Sequence, residues 1–240
     1  MKKLLSVSVA SLAFASVAAY TPVSVGVTEI TPTSVNTIVP APYQSLADGE
    51  AIAVQDLVKA ANLPDGTMLY YYNGSKFNAW IKGTESDAGK WIGSSITTKD
   101  GISVSPGSST VKLAVGSALW VVLPKAPTTE KIYIYGKPSE ITSTTVAAGS
   151  TALIGNPRAV NATPVVSNAA NGDTITIVSG DSPVVYTFNA KLSKWGAWTQ
   201  SSNSSFPVFA EWNNPAIASG SGFWYNSKGA SQVTINWNVQ

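Results

Sequence analysis

Two tryptophan pairs with identical spacing constrain this chain more than any other feature. Trp91 and Trp120 stand as far apart as Trp195 and Trp224, 29 positions in each case (120 − 91 and 224 − 195). A Lys-Trp pair opens both intervals, at Lys90-Trp91 and Lys194-Trp195. A Gly-Ser step precedes both closing tryptophans, in Gly116-Ser117-Ala118-Leu119-Trp120 and Gly220-Ser221-Gly222-Phe223-Trp224-Tyr225. An alternating apolar run follows each, at residues 132–135 and 233–237. Equal spacing of rare residues marks a duplicated module. Offsets between the copies fall from 115 (Pro42 to Pro157) to 107 (Thr67 to Thr174) and 104 (Trp91 to Trp195). The shortening falls in turn-rich stretches, where a shared strand framework tolerates it.

Valine, isoleucine, threonine, tyrosine and tryptophan dominate the periodic segments, and glycine and proline punctuate them, which favours strands and turns. Only residues 51–61 carry helical spacing, with Val54, Leu57, Val58 and Ala61 on one face. The expected fold class is therefore all-β with one short helix in the first copy, as two related β-sandwich or barrel-like modules packed in tandem. The expected boundaries are a leader at 1–19, a first module at 20–137 and a second at 138–240, with the join near Gly136-Lys137-Pro138.

The leader has a basic start (Lys2, Lys3), an uncharged and mostly apolar stretch from Leu4 to Ala15, and small or β-branched residues at Val17-Ala18-Ala19. That is the pattern of a secretory signal cut before Tyr20, and its serines dilute it too far for a membrane span. The expected location is periplasmic, surface-associated or extracellular. The chain holds 15 basic and 13 acidic residues, and the leader removes two lysines, so the mature protein is neutral. Such a balance makes no electrostatic case for nucleic acid. There is no cysteine, so packing alone must hold the exported fold.

The chain also has no histidine. A Ser-His-Asp or Cys-His nucleophile is therefore impossible, and the usual zinc ligands are missing. A calcium site built on Asp87, Asp100 or Asp181 competes with their ordinary role in turns. Asp173 reads as a turn residue, and Glu211 beside Trp212 has no evident partner acid for glycoside hydrolysis. These residues lead to the expectation of no enzyme activity, no cofactor and no resident metal.

Aromatic residues are the informative class: eight Trp, nine Tyr and six Phe. Recurrence assigns Trp91, Trp120, Trp195 and Trp224 to the core of each module. The aromatics outside the repeat are candidates for stacking on a sugar: Trp80, Trp198, Trp212, Tyr225 and Trp237. The final strand alternates Val233, Ile235 and Trp237 with Thr234, Asn236 and Asn238 and lacks a charge or proline. As a sheet edge it would accept a strand from a neighbour, so self-association through it, or contact with envelope polysaccharide, is the expected partnership.

Several short motifs together resemble a family of exported bacterial proteins. They are Pro22-Val23-Ser24-Val25-Gly26-Val27, Asn36-Thr37-Ile38-Val39-Pro40, the run from Asp56 through Gly66, Asn78-Ala79-Trp80 and the Gly220 to Tyr225 string. The resemblance implies export and a β-rich repeat fold. It implies no reaction and no catalytic residue. The reading it leaves is an exported, non-enzymatic structural or interaction protein, with a carbohydrate-binding module as the alternative.

Overall fold

The computed structural model describes residues 25–46, 49–58, 63–97, 103–179, 182–200, 207–213 and 216–239. The expected leader, the opening Pro22-Val23-Ser24, Lys59 to Ala61 of the expected helix, Asp100 and Asp181 lie outside them.

The fold is almost all β, in sheets whose strands pair antiparallel except at one rung pair in the first half. In the first half, strands Gly26–Ile30, Ile132–Pro138 and Tyr43–Gln44 form a three-stranded sheet with Ile132–Pro138 in the middle. A larger sheet runs Asn36–Pro40, Ala118–Val122, Met68–Tyr72 and Phe77–Lys82, with Trp91–Gly93 on the last of these. The second half repeats the order. Ser143–Val146, Val233–Val239 and Ala162–Ser167 form the small sheet. Thr151–Gly155, Gly222–Asn226, Thr174–Ser179, Ser182–Asn189, Lys194–Gln200 and Pro207–Glu211 form the large one.

The ladders match residue by residue. Trp120 stands between Ile38 and Tyr70, as Trp224 does between Leu153 and Thr176. Trp91 pairs with Lys82 and Trp195 with Phe188, which are equivalent rungs. The halves differ beyond that point. In the first, Ser103–Pro106 adds in parallel to Asn78 and Ala79; in the second, Pro207–Glu211 pairs outside Lys194–Gln200.

Strand alternation divides the apolar side chains into three layers. Val39, Leu69, Trp80, Leu119 and Val121 of the first large sheet pack on Ile30, Ile132 and Ile134 of its small sheet. Ile154, Ile175, Trp195, Phe223 and Tyr225 pack likewise on Val146, Val233 and Ile235. The third layer joins the halves: Ile38, Ala118 and Leu153 with half-buried Trp120, Val178 and Trp224.

That middle layer corrects the reading of the recurrent tryptophans. Trp195 is core and Trp91 lies half-buried against the first core. Trp120 and Trp224 point from the outer faces of their sheets toward the opposite half and meet edge to face at 6.5 Å. Trp224 also meets Tyr72 at 5.9 Å and Phe77 at 5.8 Å, both from the first half. Equivalent positions touch each other here. Gly155, the counterpart of Pro40, lies so close to it that an added Cβ would come within 2.6 Å of the proline Cβ. Gly155 N–H donates to Gly116 O across the same junction at 2.9 Å. A double-mutant cycle on Trp120→Ala and Trp224→Ala is expected to give a coupling of about 0.5–1.5 kcal/mol, the range for an aromatic pair. Purely additive losses in urea unfolding would contradict the contact.

Two other expectations are revised. Of the expected helix over 51–61, Val54–Leu57 is helical, while Ile52–Ala53 is instead a strand paired with Lys112–Leu113. Val54 and Leu57 do bury, so the helical spacing marks the right inward face. The terminal strand is not an edge. Val233–Val239 is paired on both sides, by Ser143–Val146 and Ala162–Ser167, so its alternation reflects a central strand with one face in the core. Self-association through its edge is thereby excluded. Pro164, which cannot donate to a ladder, sits in the outer strand of that sheet.

Candidate functional site

Four of the five aromatics expected to stack on sugar are buried. Trp80 is fully buried on the inner face, across the ladder from Leu69. Trp212 stacks on Tyr186 at 5.4 Å and meets Trp195 edge to face. Trp237 packs on Phe223 and donates its Nε1–H to Thr144 Oγ1 at 3.0 Å. Tyr225 donates its hydroxyl to Asp173 at 2.7 Å inside the second core. None of these rings presents a face to solvent, which corrects their assignment as stacking platforms. They escaped recurrence for a structural reason: the rung of Trp80 is occupied in the second copy by Tyr186, an equally inward residue.

Trp198 is the exception. It is 58% exposed, on the outer face of Lys194–Gln200, with Phe209 directly across the ladder at 5.2 Å. The hairpins here reach past the core. Val184, Val185 and Val208 are each more than two-fifths exposed, so apolar side chains line both faces of this extension.

The acids take structural positions. Glu211 pairs with Lys194 at 2.6 Å, both half exposed, and Asp87 pairs with Lys90 at 3.2 Å. Asp173 is fully buried and accepts three hydrogen bonds: from Tyr225, from Lys228 N–H at 2.6 Å and from Ala170 N–H at 2.9 Å. It ties the turn before Thr174–Ser179 to the turn after Gly222–Asn226. Among the described residues, no group of three Asp or Glu converges on a point that could hold a metal ion. No helix among them is long and apolar enough to cross a membrane.

Burial, together with the adjacent Asp173 carboxylate, pushes the Tyr225 phenol well above its ordinary value of 10.0. A raised phenol favours the folded state while it stays protonated. That contribution is complete below about pH 10 and is lost as pH rises past it, because the unfolded chain then ionises first. Unfolding free energy is expected to fall between pH 9 and 11, and less steeply in Tyr225→Phe. Urea titrations of both proteins across that window check this, and equal slopes would contradict it.

A second surface feature lies where the halves meet. A cleft of about 430 Å³ runs between residues 71–74 and 114–117 of the first copy and residues 143–147 and 150–154 of the second. Its walls come from strands and turns of both copies, so no single stretch of sequence marks it, though the charge-free run from Ile141 to Pro157 is readable in the chain. On the opposite side of the junction, Gly220, Ser221 and Gly222 line a smaller cleft with Ile30, Thr31 and Val178, about 230 Å³ in volume.

Compared with known proteins, the chain matches no family model, no curated protein and no solved structure.

Proposed function

We propose that this chain is an exported, non-enzymatic structural or interaction protein of the bacterial envelope or extracellular space. The observation that carries this is the apolar extension around Trp198. A tryptophan 58% exposed, with Phe209 directly across its ladder, places aromatic surface outside both cores, and Val184, Val185 and Val208 add exposed apolar side chains on the same sheet. An exposed aromatic pair of this kind serves contact with another molecule. The acids a hydrolase would draw on are engaged elsewhere: Glu211 by Lys194, Asp87 by Lys90 and Asp173 by three donors.

Sugar binding is the second reading, favoured by the open indole of Trp198. Light scattering of residues 20–240 over a wide concentration range, with a glycan array in parallel, separates the two. Self-association or glycan capture is expected, and Trp198→Ala is expected to weaken it at least ten-fold. A protein that stays monomeric and captures no glycan, or whose contacts ignore Trp198→Ala, would overturn this reading.

A further inference from the structure

We propose that the larger cleft between the two copies binds a neutral, polyhydroxylated ligand of the size of a mono- or disaccharide. The proposal rests on the interaction reading above but assigns a different surface from Trp198.

The lining is uncharged and combines hydroxyls with aliphatic side chains such as Val115, Leu153 and Ile154. No residue around this cleft carries a charge. Apart from the amide of Asn73 the polar side chains are hydroxyls: Tyr72, Ser143 and Thr145 among them, with Ser117 and Ser150 as acceptors because each donates its own hydrogen to a backbone carbonyl. A hydroxyl both donates and accepts, as sugar hydroxyls do. A charged ligand would leave water for a site with no counter-charge, at a cost in desolvation.

The main chain adds to this. Ser143–Val146 is the outer strand of its sheet. Thr142 O accepts from Trp237 N–H at 2.7 Å, so the even-numbered positions turn their backbone toward the neighbouring strand. Antiparallel alternation then turns the backbone of Ser143 and Thr145 the other way, toward the cleft they line.

The duplication supplies an internal comparison. The cleft on the other side of the junction has the same glycine floor, Gly220 in place of Gly116, but Val178 where the larger one has Tyr72. At about 230 Å³ it falls below the roughly 300–1,000 Å³ usual for small-molecule sites, while its counterpart at about 430 Å³ falls inside that range. Size and phenol thus set the two apart on one framework. Tyr72 is also held from both halves, by Phe77 at 4.9 Å and Trp224 at 5.9 Å, so the site exists only when the copies pack together.

The test is an NMR titration of ¹⁵N-labelled residues 20–240 with glucose, N-acetylglucosamine and maltose, and with glucose 6-phosphate as the charged comparison. Saturable shifts are expected at amides of residues 71–74, 114–117 and 143–147 for at least one neutral sugar. The phosphorylated sugar is expected to bind at least ten-fold more weakly than glucose. Thr145→Lys, at an exposed edge position, is expected to abolish the shifts with an unchanged melting temperature, and Trp198→Ala is expected to leave them intact. No saturable shift with any neutral sugar, shifts that survive Thr145→Lys, or equal binding of the phosphorylated sugar would overturn the proposal. Shifts centred on Trp198 would overturn the cleft while leaving the interaction reading in place.

Discussion

Trp80→Ala is expected to lower the unfolding free energy by about 3–5 kcal/mol, the range for emptying a large aromatic from a core. The ring is fully buried, and Leu69 stands directly across its ladder. The Gly107 backbone lies so close to the indole that a Cβ there would overlap the ring. Neighbours fixed by sheet hydrogen bonds cannot collapse into the space, so the loss is near the upper end. Trp80→Phe is expected to cost distinctly less, because Nε1 has no hydrogen-bond partner and its removal relieves a buried donor. Trp198→Ala, at a 58% exposed position, is expected to stay within about 0.5 kcal/mol. Urea unfolding of the three variants checks the order. A loss under 1 kcal/mol for Trp80→Ala would remove Trp80 from the core.

Asp173→Ala is expected to cost about 3 kcal/mol. Three donors converge on this buried carboxylate, and hydrogen bonds to a charged group contribute about 1.5–3 kcal/mol each. Their sum overstates the effect, because deletion also removes the cost of burying the charge. What remains is a buried Tyr225 hydroxyl and two turn N–H groups without their acceptor. Asp173→Asn keeps one oxygen and is expected to lose about half as much. Adding Tyr225→Phe to Asp173→Ala is expected to cost little more, since the phenol has already lost its partner. Calorimetric melting of the single and double variants measures this, and full additivity would contradict the shared bond.

The repeat was legible because the tryptophans of each pair occupy equivalent rungs of the two large sheets, Trp91 and Trp195 opposite Lys82 and Phe188, and Trp120 and Trp224 opposite Ile38 and Leu153, even though the strands between them differ. Alternation also identified which residues share a face, as with Val233, Ile235 and Trp237. It does not identify what covers the face. Trp120 and Trp224 alternate like core residues, yet the opposite half of the chain covers them. Edge and central strands likewise alternate alike, so the two-sided pairing of Val233–Val239 was hidden. The cleft was harder still, because its walls come from stretches as distant as Tyr72 and Thr145. Of the aromatics picked for exposure, Trp198 alone combines a strand position with a site beyond the end of the core.

The junction through Trp120 and Trp224 sets equivalent positions against each other, as two separate molecules do around a two-fold axis. Tethering changes what such a contact requires. A free dimer must overcome the loss of independent movement of its partners and dissociates on dilution. Here Ile132–Pro138 leads directly toward Ser143–Val146, so the partners share one chain and the local concentration is on the order of millimolar or above, independent of how much protein is present. A few apolar side chains can then hold what would otherwise need a far larger surface. Stoichiometry is fixed at one to one, and the two members are free to diverge, one keeping Tyr72 where the other carries Val178.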